Sequence, residues 1–178
     1  MNFIYSEKIF EKKSCDKLID FFEKNKHLAK KGDGGNAKLN NLEINIKLSN
    51  PEEFDGLGKK LVSGCKNYGE KYPLFKKIMP YKLYTSFQLC RFEPGNHYSS
   101  IHCENDGNPK YLNRVLAWMI YLNDIADGGG TEFLQQETTL EPIAGNLYIW
   151  PAGPTHMHRG VVSKSEKKYF LTGWYIYS

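Results

Sequence analysis

The sequence predicts an α+β fold that is mainly β, namely a jelly roll with N-terminal helices packed on its sheet. From about residue 81 onward, short apolar and aromatic runs are separated by connections rich in Gly, Asn, Asp and Pro, as in jelly rolls. Before residue 81, two segments place apolar residues at helical spacing. We therefore expect a single domain over residues 1–178, with a helical buttress at 1–80 and a jelly-roll core at 81–178.

The first predicted helix covers residues 15–26, with Ser14 as its N-cap. Its apolar residues recur at helical spacing: Cys15, Leu18, Ile19 and Phe22. The second predicted helix starts in segment 50–53, which supplies an Asn cap, a Pro at the first helical position and a Glu at the third. It should stop before Pro73, because the residue preceding a proline disfavours helical geometry.

The predicted strands show either alternation or continuous apolar character. They cover residues 42–48, 83–92, 114–122, 146–150 and 168–175. The segment 114–122 is apolar on both faces, which indicates a central strand covered on both sides. The Gly-rich, charged segment 30–36 is predicted to be a mobile loop.

Composition predicts an ordered cytoplasmic protein. Hydrophobic residues make up 40% and aromatic residues 14%, which argues against disorder. The net charge of +4 is too mild to indicate nucleic acid as a partner. No apolar run approaches the ~20 residues of a membrane span, and the N-terminus does not resemble a signal peptide. The four cysteines show no Cys-x-x-Cys spacing, so we expect reduced thiols.

A metal site is predicted at His102, Glu104 and His158. Side chains two residues apart leave the same face of a strand, so His102 and Glu104 can bind one ion while Cys103 points away. His158 is the predicted third ligand. Two histidines and one carboxylate leave three coordination positions open, which is typical of non-haem Fe(II) oxygenases. A structural zinc site would more often use four protein ligands.

Other residues near these positions remain alternative ligands. They are His97 in place of His102, Asp106 in place of Glu104, His156 in place of His158, and Cys103 as an additional ligand. We favour His158 over His156 because Gly160 and a ten-residue step to Lys168 follow it. His156 then becomes a candidate for contact with the substrate or with one of the metal-binding side chains.

The last predicted strand carries the residues expected to bind a cosubstrate. Lys168, Phe170, Thr172 and Trp174 share one face of it. A lysine on so apolar a strand needs a partner if it is buried, although it could instead reach solvent at the rim. A dicarboxylic cosubstrate that chelates iron at one end needs a cation and hydroxyls at the other. Lys168 and Thr172 fit that need, which predicts 2-oxoglutarate.

These motifs resemble the Fe(II)/2-oxoglutarate dioxygenases of the prolyl 4-hydroxylase type, over residues 87–175. The similar segments, in order, are Arg91-Phe92-Glu93-Pro94-Gly95 with Tyr98, His102-Cys103-Glu104, Tyr121-Leu122-Asn123, Gly129-Gly130-Thr131-Glu132-Phe133, Pro142-Ile143-Ala144-Gly145-Asn146, His158-Arg159-Gly160, Lys168 and Trp174. Two features depart from the family: Glu104 stands where aspartate is usual, and one additional residue separates Tyr98 from His102.

The resemblance implies a double-stranded β-helix and an enzyme that uses Fe(II), O₂ and 2-oxoglutarate, with ascorbate as a further candidate. It implies that Tyr121 hydrogen-bonds the distal carboxylate of 2-oxoglutarate beside Lys168 and Thr172. The expected reaction is hydroxylation of a C–H bond, with a prolyl residue in an extended peptide as the leading substrate. Candidate substrate contacts are Tyr98, His156 and Trp174. Hydroxylation of a free amino acid, nucleic-acid demethylation and a non-catalytic metal-binding module are the alternatives.

Overall fold

The computed structural model describes residues 1–31 and 41–178, with two helices packed on a large antiparallel sheet. The helices are α1 Lys12–Asn25 and α2 Glu53–Lys71. The strands are β1 Tyr5–Lys8, β2 Lys30–Lys31, β3 Asn41–Lys47, β4 Tyr81–Leu83, β5 Ser86–Phe92, β6 Arg114–Tyr121, β7 Thr131–Phe133, β8 Thr138–Leu140, β9 Asn146–Pro151, β10 His158–Gly160 and β11 Lys168–Tyr177. Short 3-10 turns occupy Lys26–Leu28, Pro73–Lys77 and Pro154–His156.

The strands form two sheets. The major sheet has the order β1-β9-β6-β11-β5-β3-β2, with β4 also paired to β11, and the minor sheet has the order β10-β7-β8. Phe133 and Leu140 of the minor sheet share one apolar cluster with Tyr148, Trp150 and Phe170 of the major sheet. The two sheets are therefore packed face to face, which confirms the predicted jelly roll.

Strand β6 lies in the interior of the major sheet, between β9 and β11. The side chains of β6 are buried in two apolar clusters. Leu116 and Trp118 belong to the cluster that includes the helices, whereas Ala117 and Tyr121 belong to the cluster between the sheets. The prediction of a strand covered on both faces is confirmed, because each face of β6 has an apolar layer to pack against.

Both predicted helices exist and pack on the outer face of the major sheet. The buried residues of α1 and α2 join one cluster with the sheet: Cys15, Leu18, Phe22, Leu57, Leu61 and Tyr68. Helix α1, however, begins at Lys12 rather than at residue 15, and Ser14 lies within its first turn. An ion pair of 2.7 Å between Lys12 and Asp16 spans that turn. The prediction of Ser14 as the N-cap is therefore wrong; Glu11 occupies that position, without a side-chain cap bond.

Helix α2 starts later than its sequence signal indicates. The side chain of Asn50 accepts a hydrogen bond from the backbone N–H of Glu52 at 2.9 Å, which closes a local turn instead of capping a helix. Residues 54–56 have φ angles between 53° and 77°, so the regular helix follows them. The predicted end before Pro73 is confirmed, since α2 finishes at Lys71.

The segment predicted as one strand at 83–92 is two strands, β4 and β5. Between them Tyr84 donates to the Trp174 carbonyl at 3.0 Å, and the Thr85 carbonyl accepts from Leu48 at 2.9 Å. The chain therefore changes its pairing partner at this point. In the segment predicted as a loop, Lys30–Lys31 form β2, while residues 32–36 lie outside the described residues.

Three strands from the first eighty residues complete the major sheet. Strands β2 and β3 form one edge, and β1, which the sequence analysis missed, pairs with β9 at the other. The predicted division into a helical buttress and a β core is therefore too simple.

All four cysteines are free thiols. Within the described ranges, neither helix has the combination of length and apolar character that a bilayer crossing requires.

Candidate active site

Two histidines and one carboxylate converge inside the jelly roll. Ligand atoms of His102, Glu104 and His158 all lie within 4.8 Å of one another. The Nε2 atoms of His102 and His158 are each 3.7 Å from Oε1 of Glu104. Two imidazoles and one carboxylate that face a common point can hold Fe(II) on one side of an octahedron and leave the opposite side open.

Backbone pairing and carbonyl contacts orient both histidine rings. His102 and His158 form an isolated antiparallel bridge. His102 Nδ1 donates to the Ser100 carbonyl at 3.0 Å, and His158 Nδ1 donates to the His156 carbonyl at 2.9 Å. These bonds favour the tautomer that leaves Nε2 free to bind a metal. Burial, together with the nearby His158, lowers the pKa of His102, so its ring is held in the neutral form that a metal requires.

The local setting of His102 and Glu104 differs from the prediction. The two residues were expected on one strand, but only His102 takes part in β pairing, through its bridge to His158. Cys103 lines the cavity but is not part of the ligand group, and its thiol donates to the Asn105 carbonyl at 3.3 Å. Burial raises the pKa of the Cys103 thiol, which disfavours the thiolate that a metal would need.

The remaining alternative ligands do not join the cluster. Asp106 Oδ1 accepts the backbone N–H of Asn108 at 2.9 Å, so this carboxylate closes its own turn. His97 lies on the cavity wall but is not part of the ligand group. His156 is buried with both ring nitrogens engaged, Nε2 with the Asn2 carbonyl at 2.9 Å and Nδ1 with the Thr155 hydroxyl at 3.0 Å.

The predicted substrate contact at His156 is therefore corrected. Its ring lies away from the cavity, and its hydrogen bonds to the N-terminal segment and to Thr155 leave no polar atom for a substrate. Its contribution is through its backbone, because its carbonyl orients the ring of His158. In this structure, strand alternation does not extend from His158 to His156, because His156 ends a 3-10 turn.

Glu104 is a buried carboxylate with several partners. Its Oε2 atom accepts the indole N–H of Trp174 at 2.6 Å and lies 3.3 Å from Nη1 of Arg114. Burial by itself would raise the pKa of Glu104, but the hydrogen bond and charge of His158, the charge of His102 and the Trp174 N–H outweigh it and lower the pKa to about 2. Glu104 is consequently ionised throughout the physiological pH range.

A cavity of about 330 Å³ extends from the triad across β5 and β11. All four residues predicted on one face of the last strand line it: Lys168, Phe170, Thr172 and Trp174. Opposite them in the antiparallel register, Phe92 pairs with Lys168 and Cys90 with Phe170. The alternation of β11 therefore turns these four side chains toward the cavity that His102, Glu104 and His158 also line.

Lys168 is a buried, cationic side chain on the wall of this cavity. It is 7% exposed, and its Nζ atom lies 3.5 Å from the Gly130 carbonyl and 5.0 Å from the ring centres of Tyr121 and Phe170. Among the residues that the structure describes, Cys90 is the one ionisable group whose charge affects the pKa of Lys168. Burial lowers the pKa of Lys168 to about 7. A buried cation with aromatic neighbours and no acidic partner suits the distal carboxylate of 2-oxoglutarate.

The hydroxyl groups of Tyr121 and Thr172 are both hydrogen-bonded within the protein, which the sequence did not predict. Tyr121 is fully buried in the core, and its hydroxyl shares a 2.7 Å hydrogen bond with the hydroxyl of Thr131, which lines the cavity. Tyr121 therefore contacts a residue of the cavity wall but does not line the cavity itself. Thr172 lines the cavity but donates its proton to the Trp118 carbonyl at 3.0 Å. A hydroxyl has one proton, so a bound carboxylate must compete with that carbonyl.

The two other predicted substrate residues do lie at the cavity. Tyr98 and Trp174 both line it, and the Tyr98 ring centre is 4.3 Å from that of His102. Sequence reasoning missed Arg114 and Thr131 as site residues. Thr131 belongs to the segment 129–133, which was noted only for its similarity to the family. Arg114 was recognised only as the start of a strand, because no local pattern relates it to Glu104.

Fold and site together define a non-haem iron oxygenase built on a jelly roll. Residues 87–176, half of the chain, match the sequence model of the 2OG-Fe(II) oxygenase superfamily. The chain belongs to this superfamily and is a 2-oxoglutarate-dependent dioxygenase. Its cofactor is Fe(II), its cosubstrate 2-oxoglutarate and its oxidant O₂, as predicted. The donor set of the triad and the buried Lys168 both fit these groups.

Three solved structures share the fold over nearly the whole chain. A viral collagen prolyl hydroxylase from Paramecium Bursaria Chlorella virus-1, in complex with 2OG, is 19% identical with a TM-score of 0.71, over 98% of this chain and 96% of that one. A prolyl-4-hydroxylase from Pseudomonas putida is 15% identical with a TM-score of 0.71, over 100% and 94%.

The third is a prolyl hydroxylase from Trichoplax adhaerens in complex with a peptide fragment of the hypoxia inducible factor oxygen degradation domain. It is 14% identical with a TM-score of 0.75, over 99% of this chain and 84% of that one. No curated protein matches the chain by sequence. At these identities the three structures establish a common fold, which confirms the predicted double-stranded β-helix.

Proposed function

We propose that the protein hydroxylates carbon 4 of a prolyl residue within an extended peptide. The observation that carries the proposal is that the chain follows, over nearly its full length, the fold of three prolyl hydroxylases, one of them in complex with a peptide. Membership of the 2OG-Fe(II) oxygenase superfamily supplies the reaction class. The substrate is assigned by this likeness together with the character of the cavity.

The two ends of the cavity would bind two different groups, the cosubstrate and the metal ion. Lys168, with Thr131 and Thr172 beside it, would hold the distal carboxylate of 2-oxoglutarate. His102, Glu104 and His158 would hold Fe(II) on one face of its coordination sphere. When bound, these groups supply oxidative chemistry: one atom of O₂ enters succinate as CO₂ is released, and the other enters the substrate C–H bond as a hydroxyl.

The cavity wall beside the triad is suited to an apolar ring. The aromatic side chains of Tyr98 and Trp174 lie there, and the Tyr98 ring is packed against that of His102. Flat aromatic walls commonly receive proline rings of extended peptides, because such peptides are already ordered before they bind. The chain's own contribution is to orient this ring near the triad and to exclude water around the reacting C–H bond.

The decisive experiment is mass spectrometry of proline-rich peptides incubated with the protein, Fe(II), 2-oxoglutarate and ascorbate. We expect a mass increase of one oxygen atom on proline, identified as 4-hydroxyproline after hydrolysis. Matched peptides with proline replaced by alanine should remain unmodified, and the His158→Ala variant should be inactive. Parallel reactions without ascorbate measure its role.

The same incubation tests the other substrate classes. Succinate release with oxidation of a free amino acid or a methylated nucleobase, and no modified proline in any peptide, would refute prolyl hydroxylation while leaving the oxygenase reaction intact. An absence of succinate release under all these conditions would contradict catalysis by the proposed site.

A further inference from the structure

The two carboxylate oxygens of Glu104 have separate partners. Oε1 faces the Nε2 atoms of His102 and His158, 3.7 Å from each. Oε2 points the other way, where it accepts the Trp174 indole N–H at 2.6 Å and lies within 3.3 Å of Nη1 of Arg114. One oxygen is therefore presented to the metal position while the other is bound by protein donors.

Arg114 is itself held in place. Its Nη1 atom also donates to the backbone carbonyl of Glu104 at 3.2 Å. Its guanidinium lies 3.6 Å from the ring centre of Trp174 and 4.0 Å from that of Tyr111, so it is stacked between two aromatic faces. A planar guanidinium stacked in this way has little freedom to move. Arg114 and Trp174 thus form one rigid support for both the backbone and the side chain of Glu104.

This support matters because the ligand is a glutamate. Carboxylates bind metal ions through either one or both oxygens. The three positions left open by the triad must accept two cosubstrate oxygens and still leave one position for the oxidant. Glu104 has one more rotatable bond than the aspartate usual in the family. If both of its oxygens reached the metal, one of those three positions would be lost.

We propose that Arg114 and Trp174 are positioning residues that restrict Glu104 to metal binding through Oε1 alone, and so keep the third coordination position open. This inference rests on the metal site of the proposed function and adds to it the residues that set the binding mode of its carboxylate. Groups that hydrogen-bond to metal ligands commonly have effects of about 10- to 100-fold on metal affinity or activity.

The test uses Mn(II) as the probe, because its effect on water-proton relaxation counts exchangeable water on the ion. Protein saturated with Mn(II) and 2-oxoglutarate should retain roughly one such water on an octahedral ion. The variants are Trp174→Phe, which removes the indole N–H but keeps a ring, and Arg114→Lys, which keeps the charge but loses the planar fork. Both should show relaxivity reduced toward that of a fully coordinated ion.

Arg159→Lys is the matched control. Arg159 directly follows His158, but its side chain binds Glu132 at 2.6 Å and is 45% exposed, so this variant should retain the wild-type relaxivity. The Glu104→Asp background provides a second control. The shorter side chain withdraws from Arg114 and Trp174, so Trp174→Phe should change little there.

The outcomes separate this inference from the site on which it rests. Wild-type relaxivity in both Trp174→Phe and Arg114→Lys would overturn the positioning role while leaving the metal site intact. An equal loss in the Glu104 and Glu104→Asp backgrounds would also overturn it, because the two residues would then act by another route. Failure of the wild-type protein to bind Mn(II), or undiminished binding by His158→Ala, would overturn the metal site and the inference together.

Discussion

His102 and His158 exchange two backbone hydrogen bonds: the His102 N–H donates to the His158 carbonyl over 3.0 Å, and the return bond measures 2.9 Å. The two rings lie side by side, with centres 4.3 Å apart. This pairing sets the relative position of the two histidines, and the backbone of Glu104, two residues after His102, is held by the bond from Arg114 to its carbonyl at 3.2 Å. Their arrangement should therefore survive the loss of any one side chain.

We predict that His102→Ala, Glu104→Ala and His158→Ala each abolish Fe(II)-dependent succinate formation. Circular dichroism should show a fold that is largely unchanged, because the backbone bonds remain. His156→Ala is the matched control, since its ring is bonded to Asn2 and Thr155 outside the cavity, and it should still bind metal. An active His158→Ala beside an inactive His156→Ala would reverse the assignment of the third ligand.

Lys168→Ala should weaken 2-oxoglutarate binding by a factor of about 30 to several thousand. Removing one partner of a buried, hydrogen-bonded charge pair costs ~2–5 kcal/mol, and ~1.4 kcal/mol is tenfold. Calorimetric titration measures the effect, and metal affinity should change little. The neighbouring Lys167→Ala is the control, because that side chain is 49% exposed and lies 3.7 Å from Glu93. Equal affinities for the two variants would remove Lys168 from the cosubstrate site.

The affinity for 2-oxoglutarate should fall as the pH rises above about 7. Burial lowers the pKa of Lys168 to about 7, so the ammonium that attracts the carboxylate is present below this pH and is lost above it in the free protein. Binding must then take up a proton, which weakens it by up to roughly tenfold for each pH unit. Titrations between pH 6 and pH 9 measure this slope, and a flat profile would show that Lys168 stays charged in the free protein.

Two adjacent residues of α2 test the packing of the helices on the sheet. Leu61 is fully buried against the sheet, and its carbonyl accepts the Tyr175 hydroxyl at 2.7 Å, whereas Val62 is 58% exposed. Leu61→Ala should lower the free energy of unfolding by about 2–5 kcal/mol. Val62→Ala should change it by less than about 0.5 kcal/mol. Urea unfolding compares them; similar losses would mean that α2 does not pack as described.

Much of the fold was predictable because its signals are local. Residues 114–122 and 168–175 are apolar or alternating over whole strands, and both strands are found. Predictions were wrong where the end of a helix or strand depends on contacts that its own pattern of residues does not show. The start of α2 depends on a left-handed turn at residues 54–56, and the break between β4 and β5 depends on Leu48 and Trp174. Neither partner is visible in the local pattern.

The types of the candidate ligands and their order along the chain could be predicted from local patterns, because spacings such as that from His102 to Glu104 are properties of a short segment. The groups that surround these ligands became apparent from the folded chain. Strand β6 pairs with β11, which brings Arg114 and Trp174 together on Glu104. Strand β7 of the minor sheet supplies Thr131, whose hydroxyl bonds that of Tyr121 and which lines the cavity. Hydrogen bonds and apolar contacts form between groups that are close in space. Sheet pairing brings together residues that are far apart in the chain, so no local sequence pattern predicts their contact.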